Sequence, residues 1–260
     1  MIILFIGDIV GKPGRQIVKS CLPDLLARER VDFCLANGEN AAGGMGITRA
    51  VADELFAAGI DILTMGNHVW DKKEVYQFID HETRMVRPLN YPDGTPGRGS
   101  VLVQTKKKLK VGVVNVSGRV FSQVSLGCPF RAAAVETEKL KRETPVVIVD
   151  FHAEATSEKM AMGWHLDGKV SAVLGTHTHV PTADERILPG GTAYITDVGM
   201  TGPVDSVIGV KKELILERFL TQLPVRFEVA KGKRVFQAVV LDVEEKSGKA
   251  RSIRRLECRE

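Results

Sequence analysis

Aromatic residues are scarce, 6% of the 260-residue chain, and the scarcity weighs against one function class at once. A surface for single-stranded nucleic acid needs rings interleaved with a basic stripe. Charge of one sign is also lacking: 36 Lys and Arg face 32 Asp and Glu, a net of +4. With 44% hydrophobic residues, so small a net charge excludes disorder as the main state. The basic excess gathers in Lys106-Lys107-Lys108-Leu109-Lys110 and in Arg251 to Arg255. Solvated strand edges account for both, so charge names no partner. No apolar run approaches the roughly 18–20 residues of a membrane span. The opening Met1 to Ile6 lacks the basic flank and length of a signal peptide, so the expected location is cytoplasmic. Cys21, Cys34, Cys128 and Cys258 form no C-x-x-C pair, which argues against a zinc ribbon and suits reduced thiols.

What is present is alternation. Ile2 to Ile6 reads as a buried strand ending at Gly7-Asp8. Pro13 to Arg28 carries apolar residues at helical spacing, and Phe33 to Ala36 reads as the next strand. The loop Gly38 to Gly46 leads to a helix from Thr48, its N-cap, to Ala58, with Gly59 as the stop. A strand from Ile60 to Met65 ends at Gly66-Asn67-His68. This βαβαβ opening predicts a parallel sheet under helices. Ser100 to Gln104 and Lys110 to Val116 predict an antiparallel pair, followed by a helix over Arg131 to Arg142 and a strand from Val146 to Val149. A helix through Ser157 to Trp164, strands at Ala172 to Leu174 and Ala193 to Thr196, a helix near Val207 to Leu220, and strands at Val235 to Val243 and Ala250 to Leu256 complete the chain. No linker or repeat divides it, so one α/β domain over residues 1–260 is expected.

Metal-capable side chains fall at the ends of five predicted strands: Asp8, Glu39-Asn40, Asn67-His68, His152, and His177 with His179. Ligands bind outside the carboxyl ends of strands in α/β sheets, because the loops converge there. Singly, each has a plainer reading. Asp8 can cap a turn, Glu39-Asn40 can be a solvated loop, and Asn67-His68 can be turn chemistry with an exposed ring. In an extended chain, residues two apart share a side, which predicts that His177 and His179 face together. Four of six histidines occupy such ends, leaving His81 and His165 elsewhere, and that concentration favours a metal site. Oxygen with imidazole suits Mn, Fe or Zn.

Gly7-Asp8, Gly38-Glu39-Asn40, Gly66-Asn67-His68, Phe151-His152 and Gly175-Thr176-His177-Thr178-His179 resemble the blocks of the calcineurin-like metallophosphoesterases. Two departures stand out. Asp8-Ile9-Val10 lacks the superfamily's Asp-x-His histidine, and Glu39 replaces the usual aspartate of the second block. Both changes are similar to the bacterial YmdB-like branch, as are Ile6 to Arg15, Ala36 to Gly44, Gly66 to Asp71 and Asp197 to Gly202. The resemblance implies a four-layer α-β-β-α sandwich with two mixed β-sheets. It also implies two metal ions, Fe or Mn: Asp8, Glu39, Asn40 and His179 would hold one, and Glu39, Asn67, His152 and His177 the other, with Glu39 bridging. His68 would act as general acid on a cyclic nucleotide or other small phosphodiester.

The charges agree with that transfer. Two divalent ions, less Asp8, Glu39 and a bridging hydroxide, leave about one positive charge to attract a phosphate monoanion. Two metals about 3.5–4 Å apart can clamp phosphate oxygens and acidify a shared water. The departing ribose oxygen is basic, so a protonated imidazole should help by about 10²–10⁴-fold. A phosphatase or nuclease on the same scaffold competes, since fold does not select substrate. So does a metal-dependent regulatory or binding protein, although His68 has no task there. Nucleic acid has no support in the sequence, no membrane is expected, and oligomerisation is left open. Leu126 to Phe130 is expected to shape the cleft.

Overall fold

Strands that are apolar on both faces need cover on both sides, and the chain supplies it twice. The computed structural model describes residues 1–122 and 124–260. The chain runs β1 (Ile2–Ile6), β2 (Asp8–Ile9), α1 (Gly11–Arg28), β3 (Phe33–Asn37), α2 (Arg49–Ala57), β4 (Ile62–Thr64), a 3-10 turn at Lys73–Gln77, β5 (Met85–Val86), β6 (Ser100–Gln104) and β7 (Lys110–Ser117). It continues through α3 (Pro129–Lys141), β8 (Val147–His152), α4 (Thr156–Leu166), β9 (Ala172–Thr176), β10 (Arg186–Ile187) and β11 (Ala193–Ile195). The last elements are β12 (Met200–Pro203), α5 (Lys212–Thr221), β13 (Arg234–Val243) and β14 (Ala250–Arg259).

Eight strands form the first sheet in the order β2-β12-β13-β1-β3-β4-β5, with β14 on β13. Six form the second, β10-β11-β9-β8-β7-β6. Both are mixed: β1, β3, β4 and β5 run parallel and β13 antiparallel, while β7, β8, β9 and β11 run parallel and β6 antiparallel. Period-two alternation then sorts each strand between two cores. Ile3 and Phe5 face Val113, Ile148 and Leu174 of the other sheet, while Leu4 and Ile6 face Ile17, Leu22 and Leu55 of α1 and α2. Val114, Val147 and Val149 likewise pack under Ala133, Leu140, Met162 and Leu166 of α3 and α4. Each fully buried large side chain contributes about 1.5–3 kcal/mol relative to exposure. The four α-β-β-α layers follow, as expected.

Local signals agree in places and fail in others. Thr48 caps α2, accepting from the Val51 N–H at 3.4 Å, and Gly59 turns the chain at φ +112°. The helix expected from Val207 starts at Lys212 instead. Val207 pairs with Val210 across a turn that Gly209 makes at φ +98°, so the apolar run there is a bridge. β2, β5, β10 and β12 are two to four residues long, too short for a periodicity signal. Among the described residues no helix is long and apolar enough to cross a membrane.

A candidate metal centre at the strand ends

The first sheet brings Asp8, Glu39, Asn40, Asn67 and His68 to the carboxyl ends of its strands. Asp8 can lie against the returning chain because Gly7 has no side chain: a Cβ there would sit 2.2 Å from the Gly199 carbonyl oxygen. The Asp8 N–H donates to that oxygen at 3.0 Å. Its Oδ2 accepts the His177 N–H at 3.2 Å, while its Oδ1 is buried with no hydrogen-bond partner among the described residues. Burial pushes the Asp8 carboxyl up to about 6, against the pull of His179 and His152. The Asn40 Oδ1 is a second buried acceptor without a partner, its Nδ2 being turned to the Gly44 carbonyl at 3.0 Å.

Glu39 is held from both ends. Asn37 Oδ1 accepts its N–H at 3.1 Å, the His68 N–H donates to its Oε2 at 2.9 Å, and its Oε1 lies 3.0 Å from His152 Nε2. Burial alone would raise its carboxyl, but the His152 and His68 groups outweigh that and hold it near about 2. Asn67 Oδ1 also lies 3.0 Å from His152 Nε2, as does His177 Nδ1. Gly66 makes this convergence fit: a Cβ there would meet Glu39 Oε2 at 2.3 Å and His152 Nε2 at 2.4 Å.

The second sheet supplies the imidazoles. Asp150 and His152 are two apart on β8 and both buried. His152 Nδ1 lies 2.9 Å from the Thr176 hydroxyl, which donates to Asp150 Oδ1 at 2.7 Å, and Asn37 Nδ2 donates to Asp150 Oδ2 at 3.1 Å. That chain fixes the ring and leaves Nε2 aimed at Glu39, Asn67 and His177. His177 Nε2 is tied to Glu154 at 3.0 Å, which leaves Nδ1 facing the same point. Burial disfavours a proton on either ring; Glu39, Asp8 and Asp150 override it at His152, raised to about 9, and the charge on His152 then depresses His177 to about 3. Three buried carboxyl groups therefore face these rings, a concentration of acidic groups that a metal cation would offset.

The expectation that His177 and His179 face together from an extended chain does not hold. β9 ends at Thr176, and both histidines have left-handed backbones, φ +102° and +65°. The turn parts them: His177 meets His152, while His179 Nδ1 lies 2.8 Å from the Ile208 carbonyl oxygen and its Nε2 3.9 Å from Asp8 Oδ1. Asp197 pins the turn, taking the Thr178 N–H at 3.1 Å and the buried Lys159 ammonium at 2.6 Å on one oxygen.

These donors fit a metal centre. Candidate ligand atoms of Glu39, His152 and His177 lie within 4.8 Å of one another, and the buried oxygens of Asp8 and Asn40, without a hydrogen-bond partner among the described residues, suit a cation. The His68 ring stands aside from the cluster: its Nδ1 is 2.8 Å from Asp71 Oδ2, its Nε2 has no hydrogen-bond partner among the described residues, and the residue lines a cavity of about 410 Å³ together with Asn67, His152 and His177. The expected cleft loop is corrected. Gly118, Val120, Phe121, Ser122 and Val124 border this cavity, whereas Leu126 is buried and Gly127 is bonded back to Asn90. Sequence reasoning also missed Asp71, Asp150, Glu154 and the Lys159–Asp197 pair. Asp150 carried a signal, its spacing of two from His152 on one strand.

Known proteins resemble this chain along nearly its whole length. The YmdB-like protein family profile matches residues 4–256. The chain is 52% identical over 256 residues to the 2′,3′-cyclic-nucleotide 2′-phosphodiesterase of Bacillus subtilis (strain 168), covering 98% of this chain and 96% of that one. It is 38% identical to a putative phosphatase/phosphodiesterase of Mycoplasma pneumoniae, over 93% of this chain and 87% of that one. A crystal structure of a hypothetical protein from Thermus thermophilus superposes with a TM-score of 0.93 at 47% identity, covering 100% of both chains. A Mycoplasma pneumoniae phosphatase structure gives 0.94 at 36% identity, covering 100% of this chain and 93% of that one. With the matched residues running from β1 into β14 and through every strand end that carries a candidate donor, the chain belongs to the YmdB-like family.

Proposed function

We propose that the protein is a metal-dependent phosphoric diester hydrolase that opens 2′,3′-cyclic nucleotides at the 2′ ester. It would act as one catalytic domain over residues 1–260, in the cytoplasm. The observation that carries the reading is the Asp71–His68 pair beside the donor cluster. A metal-binding module has no use for an imidazole whose Nδ1 is fixed by a carboxylate and whose Nε2 has no hydrogen-bond partner among the described residues. The B. subtilis relative's activity supports the substrate class.

Two ions, Fe or Mn, would be held by Asp8, Glu39, Asn40 and His179 and by Glu39, Asn67, His152 and His177. When bound, such ions supply positive charge at the phosphate and lower the pKa of water. The rest falls to side chains. In the net reaction, water oxygen joins phosphorus, the P–O2′ bond breaks, and a nucleoside 3′-phosphate results. The leaving O2′ needs a proton, and protonated His68 can give it from Nε2 while Asp71 steadies Nδ1. Glu154 and Asp150 keep the His177 and His152 rings turned inward. A nuclease reading has less support: the groove lined by Lys12, Arg226, Lys231 and Arg234 shares no residue with the His68 cavity.

A phosphatase reading draws on the Mycoplasma relatives' names. A panel of 2′,3′- and 3′,5′-cyclic nucleotides, linear diesters and monoesters, run with Mn and Fe(II), separates the two. The proposal expects 2′,3′-cyclic nucleotides to be turned over best, with weaker 3′,5′ activity. Preferential turnover of monoesters would replace it with the phosphatase.

A further inference from the structure

The cavity beside His68 is lined by two chemically different groups of side chains. Asn67, His68 and His177 are among the polar ones, and Val120, Phe121 and Val124 are apolar. Phe121 is 82% exposed, and its two valine neighbours are also solvent-facing. None of the three contributes to a core, and none has a task in the proton and metal chemistry above. Phe121 also carries a backbone cost, since its φ of +62° lies in the left-handed region that bulky residues avoid.

The turn that presents the ring is firmly built. The Gly118 N–H donates to the carbonyl of His152 at 2.9 Å, and the N–H groups of Arg119 and Val120 donate to Glu158 at 3.0 and 3.3 Å. The Ser122 N–H returns to the Arg119 carbonyl at 3.1 Å. Glu158 is buried, and Gly118 packs so closely on it that a Cβ would sit 2.4 Å from its Oε2. An exposed phenyl ring on a strained but pinned turn, sharing a cavity with the reacting groups, calls for a flat apolar ligand. Strain of this kind collects where a ligand is gripped.

We infer that Phe121 is the platform on which the substrate's nucleobase stacks, with Val120 and Val124 beside it. This rests on the cyclic-nucleotide reading above. A cyclic nucleotide is a phosphate joined through ribose to a flat ring, so it matches a cavity whose lining offers both polar groups and an exposed aromatic ring. Every base has a π-face, so the platform selects for the presence of a base more than for its identity. Stacking on one side chain is worth about 5- to 150-fold in affinity.

The test compares wild type, Phe121→Ala and Phe121→Trp, all loaded with Mn(II). Hydrolysis of 2′,3′-cyclic AMP and 2′,3′-cyclic CMP is measured against glycerol 1,2-cyclic phosphate, which has no base. Binding of adenosine 3′-phosphate and glycerol 2-phosphate is measured by calorimetry on the same samples. In Phe121→Ala the ratio of kcat/KM for nucleotide over base-free ester should fall about tenfold, more for adenine than cytosine, and Phe121→Trp should restore it. Adenosine 3′-phosphate should weaken in parallel while glycerol 2-phosphate does not. An unchanged ratio, or equal losses on both esters, would overturn the platform. If wild type fails on cyclic nucleotides yet binds adenosine 3′-phosphate through Phe121, the functional reading falls and the platform stands.

Discussion

On the first sheet the donors facing the site are oxygens steadied mainly by backbone groups; on the second they are imidazoles steadied mainly by side-chain carboxylates. Glu39 takes the His68 N–H and Asp8 takes the His177 N–H, whereas His152 leans on Asp150 through Thr176 and His177 leans on Glu154. The difference follows from what each donor needs. A carboxylate presents lone pairs in several directions and tolerates a fixed amide beside it. An imidazole offers one lone pair per tautomer, so an acceptor on the far nitrogen must choose which one faces the metal. Oxygen ligands are therefore sensitive to their own replacement, and nitrogen ligands also to that of their supports.

The largest effect should come from Glu39→Ala, since Glu39 meets His152 and His68 at once and is the bridge in the proposed two-ion centre. Elemental analysis should find both metals gone and turnover at background. Retention of both at wild-type affinity would end the bridging role. His68→Ala should keep both metals and lose about 10²–10⁴-fold on ribose esters. A p-nitrophenyl diester, whose leaving group needs little protonation, should lose far less, and equal losses would contradict the proton-donor role. Asp150→Asn should sharpen the contrast by weakening metal binding about 10–100-fold with every proposed ligand in place. Titration of the metal-free protein measures this, and an unchanged affinity would remove the carboxylate's hold on His152.

The smallest effect lies away from the site and serves as its control. Asp32 accepts the Ile2 N–H at 2.8 Å and pairs with Lys107 at 2.5 Å. Burial opposes ionisation there, but these bonds prevail and lower its pKa. Because the folded-state value is depressed, its contribution is full above the unfolded value of about 3.9 and is lost as pH falls through the folded one. Asp32→Asn should therefore lower the urea midpoint slightly at neutral pH, converge with wild type in acid, and leave metal affinity untouched.

The strand ends were legible because a parallel sheet writes itself as apolar runs with abrupt stops: four stop at a glycine with a donor one or two residues on, and β8 ends on His152 itself. Both sheets' central strands and the helices α1 to α4 could be read for the same reason. The supports were not. Asp71, Glu154 and Asp197 are ordinary loop acids in sequence, and only folding brings Glu154 to His177 or Asp197 to Lys159. The His177–His179 turn was misread because spacing alone cannot reveal two left-handed backbones. The cleft loop was misplaced by a few residues: Phe121 is apolar yet faces solvent, which no pattern in the sequence announces.

The pairing of β1 with β13 has a consequence in time. β1 lies between β3 and β13, and the Met1 amine reaches the Val243 carbonyl across 242 residues at 2.8 Å. At about 5–20 residues per second, synthesis leaves one edge of β1 open for on the order of ten seconds or more before its partner emerges. β12, which aligns with Asp8, joins this sheet through β13 as well. The imidazole half can assemble from β7, β8 and β9 long before the oxygen half has its last strand. Stopping the chain before residue 234 should leave a protease-sensitive first sheet, an open edge prone to pair with other chains, and a histidine cluster lacking the frame that sets Asp8 against it.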